Sequence, residues 1–97
     1  MPTFVRLVNW TDQGIRNFKD TPKRADAFAE LLQQKGGKVK DIYWTLGAYD
    51  IVAIAEAPDA ETITATMLQL GAQGNVRTTT LQAFGKDEIA KIINKAG

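Results

Sequence analysis

β-branched, aromatic and aliphatic residues dominate the chain from Thr3 to Trp10, and this unbroken run, Thr-Phe-Val-Arg-Leu-Val-Asn-Trp, predicts a first strand. Thr11-Asp12-Gln13-Gly14 follows with a capping hydroxyl and an early acid, which predicts a short helical turn, and Ile15 and Phe18 are spaced to pin it down. A longer helix comes next. Thr21 is placed to cap it, and Pro22 suits its first position, where the missing N–H costs nothing. Ala25, Phe28, Ala29 and Leu32 form an i, i+3, i+4, i+7 stripe, and Gly36-Gly37 ends it. Lys38 to Leu46 and Asp50 to Ala57 read as the second and third strands, reversing at Gly47. Asp59 then caps a second long helix carrying Ala60, Ile63, Met67 and Leu70, which stops near Gly71 to Gly74. The threonine-rich segment Asn75 to Phe84 is a fourth strand. Asp87 to Lys95 closes the chain as a helix with a narrow edge of Ile89, Ile92 and Ile93.

The order β-α-β-β-α-β is the split βαβ, or ferredoxin-like, pattern, and the expected class is α+β in one domain spanning residues 1–97. Right-handed crossovers turn that order into an antiparallel sheet 4-1-3-2 with both long helices on one face. The other face poses the question. A solvated face requires alternation, yet the first strand carries Phe4 and Val8 on one parity and Val5 and Leu7 on the other. The third strand sets Ile51, Ala53 and Ala55 against Val52 and Ile54 in the same way. A second subunit over the open face is therefore expected, and with it a homo-oligomer.

Composition narrows the chemistry. The chain has 97 residues with no cysteine and no histidine, which removes disulfides, thiolate nucleophiles, ordinary zinc sites and any histidine-assisted serine or cysteine. The acids show no calcium-loop spacing, so neither a metal nor another cofactor is expected. Twelve basic against eleven acidic residues leave a net charge of +1, and no basic stripe points to nucleic acid. No apolar stretch is long enough for a membrane span and no secretory leader is visible, so a soluble cytoplasmic protein is expected.

Four segments together carry a family resemblance: Trp10-Thr11-Asp12-Gln13-Gly14-Ile15, the Tyr43 to Asp50 turn with its Gly47-Ala48-Tyr49-Asp50, Glu56-Ala57-Pro58-Asp59, and Gly74-Asn75-Val76-Arg77-Thr78-Thr79-Thr80-Leu81. In this order and spacing the chain resembles the GYD domain family. The resemblance implies a ferredoxin-like domain of the dimeric α/β-barrel type, in a family without an established activity. The second half is also similar to the effector-binding domain of the Lrp/AsnC regulators. Because no helix-turn-helix pattern stands before it in this chain, transcriptional regulation is not expected.

The predicted topology gathers the Gly47 turn, the end of the first strand and the start of the fourth at one end of the sheet. Asn9, Trp10, Thr11, Tyr49, Asp50, Asn75 and Arg77 can meet there, with Arg24 nearby. Such a mixture of aromatics, amides, a carboxylate and a guanidinium suits a small polar ligand with an apolar part. Arg77 can pair with a ligand carboxylate and Asp50 with an amine. Each residue also has a plainer role: Asp50 accepts backbone N–H bonds within its own turn, Tyr49 and Trp44 pack, and Arg77 pairs with an acid. Three functions follow. The first is a small-ligand-binding or sensing homo-oligomer, with Asn9, Trp10, Tyr43, Trp44, Tyr49, Asp50 and Arg77 as its binding residues. The second is a cofactor-independent monooxygenase or isomerase, with Asn9, Trp10, Tyr43, Trp44 and Arg6 lining a pocket on the open face. The third is a structural assembly module.

Overall fold

The computed structural model describes residues 1–97. In chain order its elements are β1 (Thr3–Trp10), α1 (Asp12–Arg16), a 3-10 turn (Phe18–Asp20), α2 (Thr21–Gln34), β2 (Lys38–Trp44), β3 (Ile51–Glu56), α3 (Ala60–Ala72), β4 (Val76–Ala83) and α4 (Lys86–Ala96). The four strands form one antiparallel sheet in the order β2-β3-β1-β4, which is the expected 4-1-3-2 order read from the other edge. The fold is ferredoxin-like α+β. No helix is long and apolar enough to cross a membrane.

β1 and β3 hold the centre of the sheet, and parity decides what each side chain meets. Phe4, Arg6 and Val8 of β1 and Ile51, Ala53 and Ala55 of β3 are buried toward the helices, whereas Val5, Leu7, Val52 and Ile54 are half-buried on the other face. The core joins Phe4, Phe28, Leu32, Ala53, Ala55, Ala57, Ile63 and Leu70. Alanines along β3 let the helices approach closely, and Phe28 and Leu32, one turn apart on α2, fill the space. Each contributes roughly 1.5–3 kcal/mol by leaving water. On α3 the buried positions are Ile63, Thr66 and Leu70. The Thr66 hydroxyl costs little there because it donates to the Thr62 carbonyl at 2.9 Å.

Several expectations are corrected. β2 ends at Trp44, short of Leu46, and β3 begins at Ile51, after Asp50, because the chain opens into a loop that Thr45 closes by donating its N–H to the Asp50 carbonyl at 2.8 Å. Thr21 does not cap α2. Asp20 occupies that position with no side-chain cap bond, and the Thr21 hydroxyl instead accepts from Trp44 Nε1 at 3.0 Å. Ile15 and Phe18 do not pin the α1 segment, since both side chains are exposed. That segment is held by polar bonds: Thr11 caps α1 through the Gly14 N–H, and its hydroxyl donates to the Gly74 carbonyl at 2.5 Å. Gly14 lies so close to the Asn75 carbonyl that a Cβ there would collide with it.

α4 stands apart. It makes no substantial packing with any other element, its isoleucines at 89, 92 and 93 are exposed, and the molecule measures 50 × 31 × 19 Å.

Candidate functional site

The end of the sheet where the β2–β3 turn, β1 and β4 converge is built largely by hydrogen bonds. Asp50 reaches across to β1, where its Oδ2 accepts the Trp10 N–H at 2.9 Å, while its own N–H donates to the Val8 carbonyl at 2.8 Å. The Asp50 carboxylate thus locks the turn to the neighbouring strand, while only its main-chain carbonyl bonds within the turn. The Thr45 hydroxyl donates to the Tyr49 carbonyl at 2.6 Å. On the far side, Thr11 N–H donates to the Asn75 carbonyl at 3.1 Å, and Gln13 Nε2 bonds the Gln73 carbonyl and Asn75 Oδ1 at 3.1 and 2.9 Å. Arg24 also serves this corner, donating to the carbonyls of Asn17 and Gly14 at 3.1 and 3.2 Å.

The structure divides the sequence-predicted residues between two faces. Asn9 lies directly opposite Arg77, and Tyr43 opposite Val52, all on the open face of the sheet. Arg77 is exposed and makes no ion pair. Trp10 is opposite Val76, and Trp44 opposite Ile51, both on the helix side. Arg6 shares that side, so the expected open-face pocket of Asn9, Trp10, Tyr43, Trp44 and Arg6 does not form. A sheet separates its members.

Arg6 is instead the most unusual residue of the molecule. It is 5% exposed, its guanidinium carbon sits 4.4 Å from the Phe28 ring centroid, and no carboxylate pairs with it. Burial without a counter-charge lowers its pKa to about 10. Arg6 and Arg24 both line a cleft between the sheet and the helices, together with polar Thr21, Gln73 and Asn75 and apolar Ile42, Ile51 and Leu70. The volume of this cleft is about 30 Å³, room for one or two waters. Sequence reasoning missed this layer. The signal available was Arg6 on the parity of Phe4 and Val8, an arginine set between two core residues.

By fold, the molecule is a ferredoxin-like α+β domain with a four-stranded antiparallel sheet. More narrowly, the chain belongs to the GYD domain family, whose profile matches residues 4–93. It is 40% identical over 85 residues to the "Glutamine synthetase and cystathionine beta-lyase binding protein" of Thermus thermophilus, covering 87% of this chain and 90% of the relative. A crystal structure of a Thermus thermophilus protein superposes with a TM-score of 0.54 at 28% identity, over 88% of this chain and 95% of the other. The feast or famine regulatory protein of M. tuberculosis, solved in complex with L-methionine, superposes with a TM-score of 0.67 at 16% identity. That match covers 89% of this chain and 52% of the regulator, and at this identity it speaks for the fold alone.

Proposed function

We propose that this protein is a cytoplasmic homo-oligomeric binding module, which holds a small polar ligand and docks on metabolic enzymes without performing chemistry of its own. The observation that carries the reading is the free face of the sheet. Cross-strand pairing lines up Tyr43, Val52 and Leu7 in one row and Ile54, Val5 and Leu81 in the next. Asp41, Lys38, Glu56, Asn9 and Arg77 flank these rows. An apolar centre with a rim of both charge signs is the anatomy of a protein interface. A second copy turned about a two-fold axis offers the same apolar rows to this face.

The enzyme partners come from the 40% identical relative, whose name describes binding to glutamine synthetase and cystathionine beta-lyase. A binding role also fits the ionisable groups that the structure shifts. Arg6 is a cation confined by burial, and Asp59 is a helix cap held below its ordinary pKa by hydrogen bonds from Thr62. Neither is poised as a general base near neutral pH. Light scattering at micromolar concentration should give a mass above that of one chain. Titration with purified glutamine synthetase and cystathionine β-lyase should show direct association with at least one of them. A monomer that binds neither enzyme would overturn the reading.

A further inference from the structure

The two edges of the sheet are built differently. β2, at one edge, is broken by a register shift between Val39 and Asp41 and carries Lys38, Lys40 and Asp41, the irregularity and charge that keep a bare edge from pairing with another chain. β4, at the other edge, has no such protection. It pairs with β1 without interruption from Val76 to Ala83, contains neither proline nor lysine, and bears a single charge at Arg77. Thr78, Thr79, Thr80 and Leu81 suit a strand well. In an antiparallel ladder every second residue turns its N–H and C=O away from the partner strand, and no main-chain bond other than the ladder to β1 reaches β4. Its outer edge is bare. Alongside it runs a groove of about 370 Å³, with Met67, Leu68 and Gly71 of α3 on one wall and Val76 and Thr78 on the other. No residue of β1 or α2 lines this groove, so it opens on the outer side of β4. Leu68 is 70% exposed there, and no atom lies within 4 Å of the point where a Cβ on Gly71 would stand.

We propose that β4 takes up an extended segment of a partner enzyme as a fifth strand. Apolar side chains at alternate positions of that segment fill the groove under α3, and an acidic residue pairs with Arg77. The inference deepens, and rests on, the reading of the protein as a module that docks on metabolic enzymes, by naming the surface and the mode of docking. In strand addition the main-chain bonds supply affinity, and a pocket for alternate side chains supplies selectivity. Successive residues of an added strand point to opposite faces, so every second one comes to lie beneath Met67, Leu68 and Gly71. Charge separates a foreign segment from a second copy of this chain. Arg77 is exposed and makes no ion pair, and β4 contains no acid, so a second β4 leaves the guanidinium unmatched where an acidic segment pairs with it. The free face of the sheet stays available to the second subunit.

The test uses purified glutamine synthetase and cystathionine β-lyase in calorimetric titrations of the full chain, with hydrogen exchange read by mass spectrometry over residues 76–83. The outward amides of β4 should exchange rapidly in the free protein and slow by roughly tenfold or more in the complex, as new main-chain bonds form. Gly71→Leu fills the groove at a point where it displaces no atom. Its melting temperature and its mass in light scattering should match the parent's, while its affinity for the enzyme should fall by roughly tenfold or more. Arg77→Ala should weaken binding by about three- to tenfold and flatten its dependence on salt. Association that leaves exchange in β4 unchanged, or that is indifferent to both substitutions, overturns the edge as the docking site while leaving the protein an enzyme-binding module. A mass that falls on Gly71→Leu assigns the groove to a second copy and likewise overturns the proposal. Failure to associate with either enzyme overturns it together with the reading on which it rests.

Discussion

Gly47 sits at φ 120° in the β2–β3 loop, and no atom lies within 4 Å of the point where a Cβ would stand, so a side chain there meets backbone strain and no collision. Gly47→Val should cost about 1 kcal/mol or more in urea unfolding, whereas Ala48→Val next to it should cost less. At Asp50 the comparison is between two substitutions. Asp50→Ala strands the Trp10 N–H and should cost about 1–3 kcal/mol, while Asp50→Asn keeps an acceptor oxygen in place and should lose less. Equal losses in the two variants would show that the bond to Trp10 contributes little. Arg6 makes a pH prediction. Burial lowers its pKa to about 10 in the folded protein, well below the ordinary arginine value, so between the two the unfolded chain holds a proton that the folded one has released. Stability therefore rises with pH across that window. Below it, both states are charged and the burial cost stands in full, roughly 3 kcal/mol at about 1.4 kcal/mol per pH unit. Denaturant melts of the parent and Arg6→Met should show the variant's advantage shrinking above pH 10.

Among the elements, periodicity placed every strand and helix, because each apolar run ends at a glycine, a proline or a cap. It could not assign faces. With Phe4 and Val8 on one parity and Val5 and Leu7 on the other, β1 reads the same from both sides, and only its pairing partners decide. Arg6 lies between Ala53 and Thr80, two small neighbours that leave room for its long stem inside, and neither is near it in sequence. The same limit hid the role of Asp50, whose partner is 40 positions away on another strand. α4 was legible as a helix with an apolar edge. Its isoleucines stay uncovered in a single chain, with Ile93 60% exposed, which suits a helix that reaches for a neighbouring subunit. Ending the chain after Gly85 should leave the circular dichroism of the remaining fold intact and lower the mass seen by light scattering. A truncated chain that assembles as before would remove α4 from the interface.

The whole molecule is a sheet with one face under helices and the other free, and Leu7 lies at the middle of the free face between Val52 and Thr79. On a surface that stays in water, Leu7→Asp is nearly neutral. Under a second subunit it buries an unpaired carboxylate at several kcal/mol, on the order of what an interface supplies, so the variant should run as a folded monomer in native mass spectrometry. The sheet order has a further consequence, for the time course of folding. β1 is made first yet ends up in the middle, with one neighbour in β3 at Ile51–Glu56 and the other in β4 at Val76–Ala83. During synthesis it therefore waits with both edges bare until more than half of the chain has emerged, and its second edge closes only near the end. Every pairing of β1 is distant in sequence, so chain closure should limit the rate, and refolding should be slow for a domain of this size.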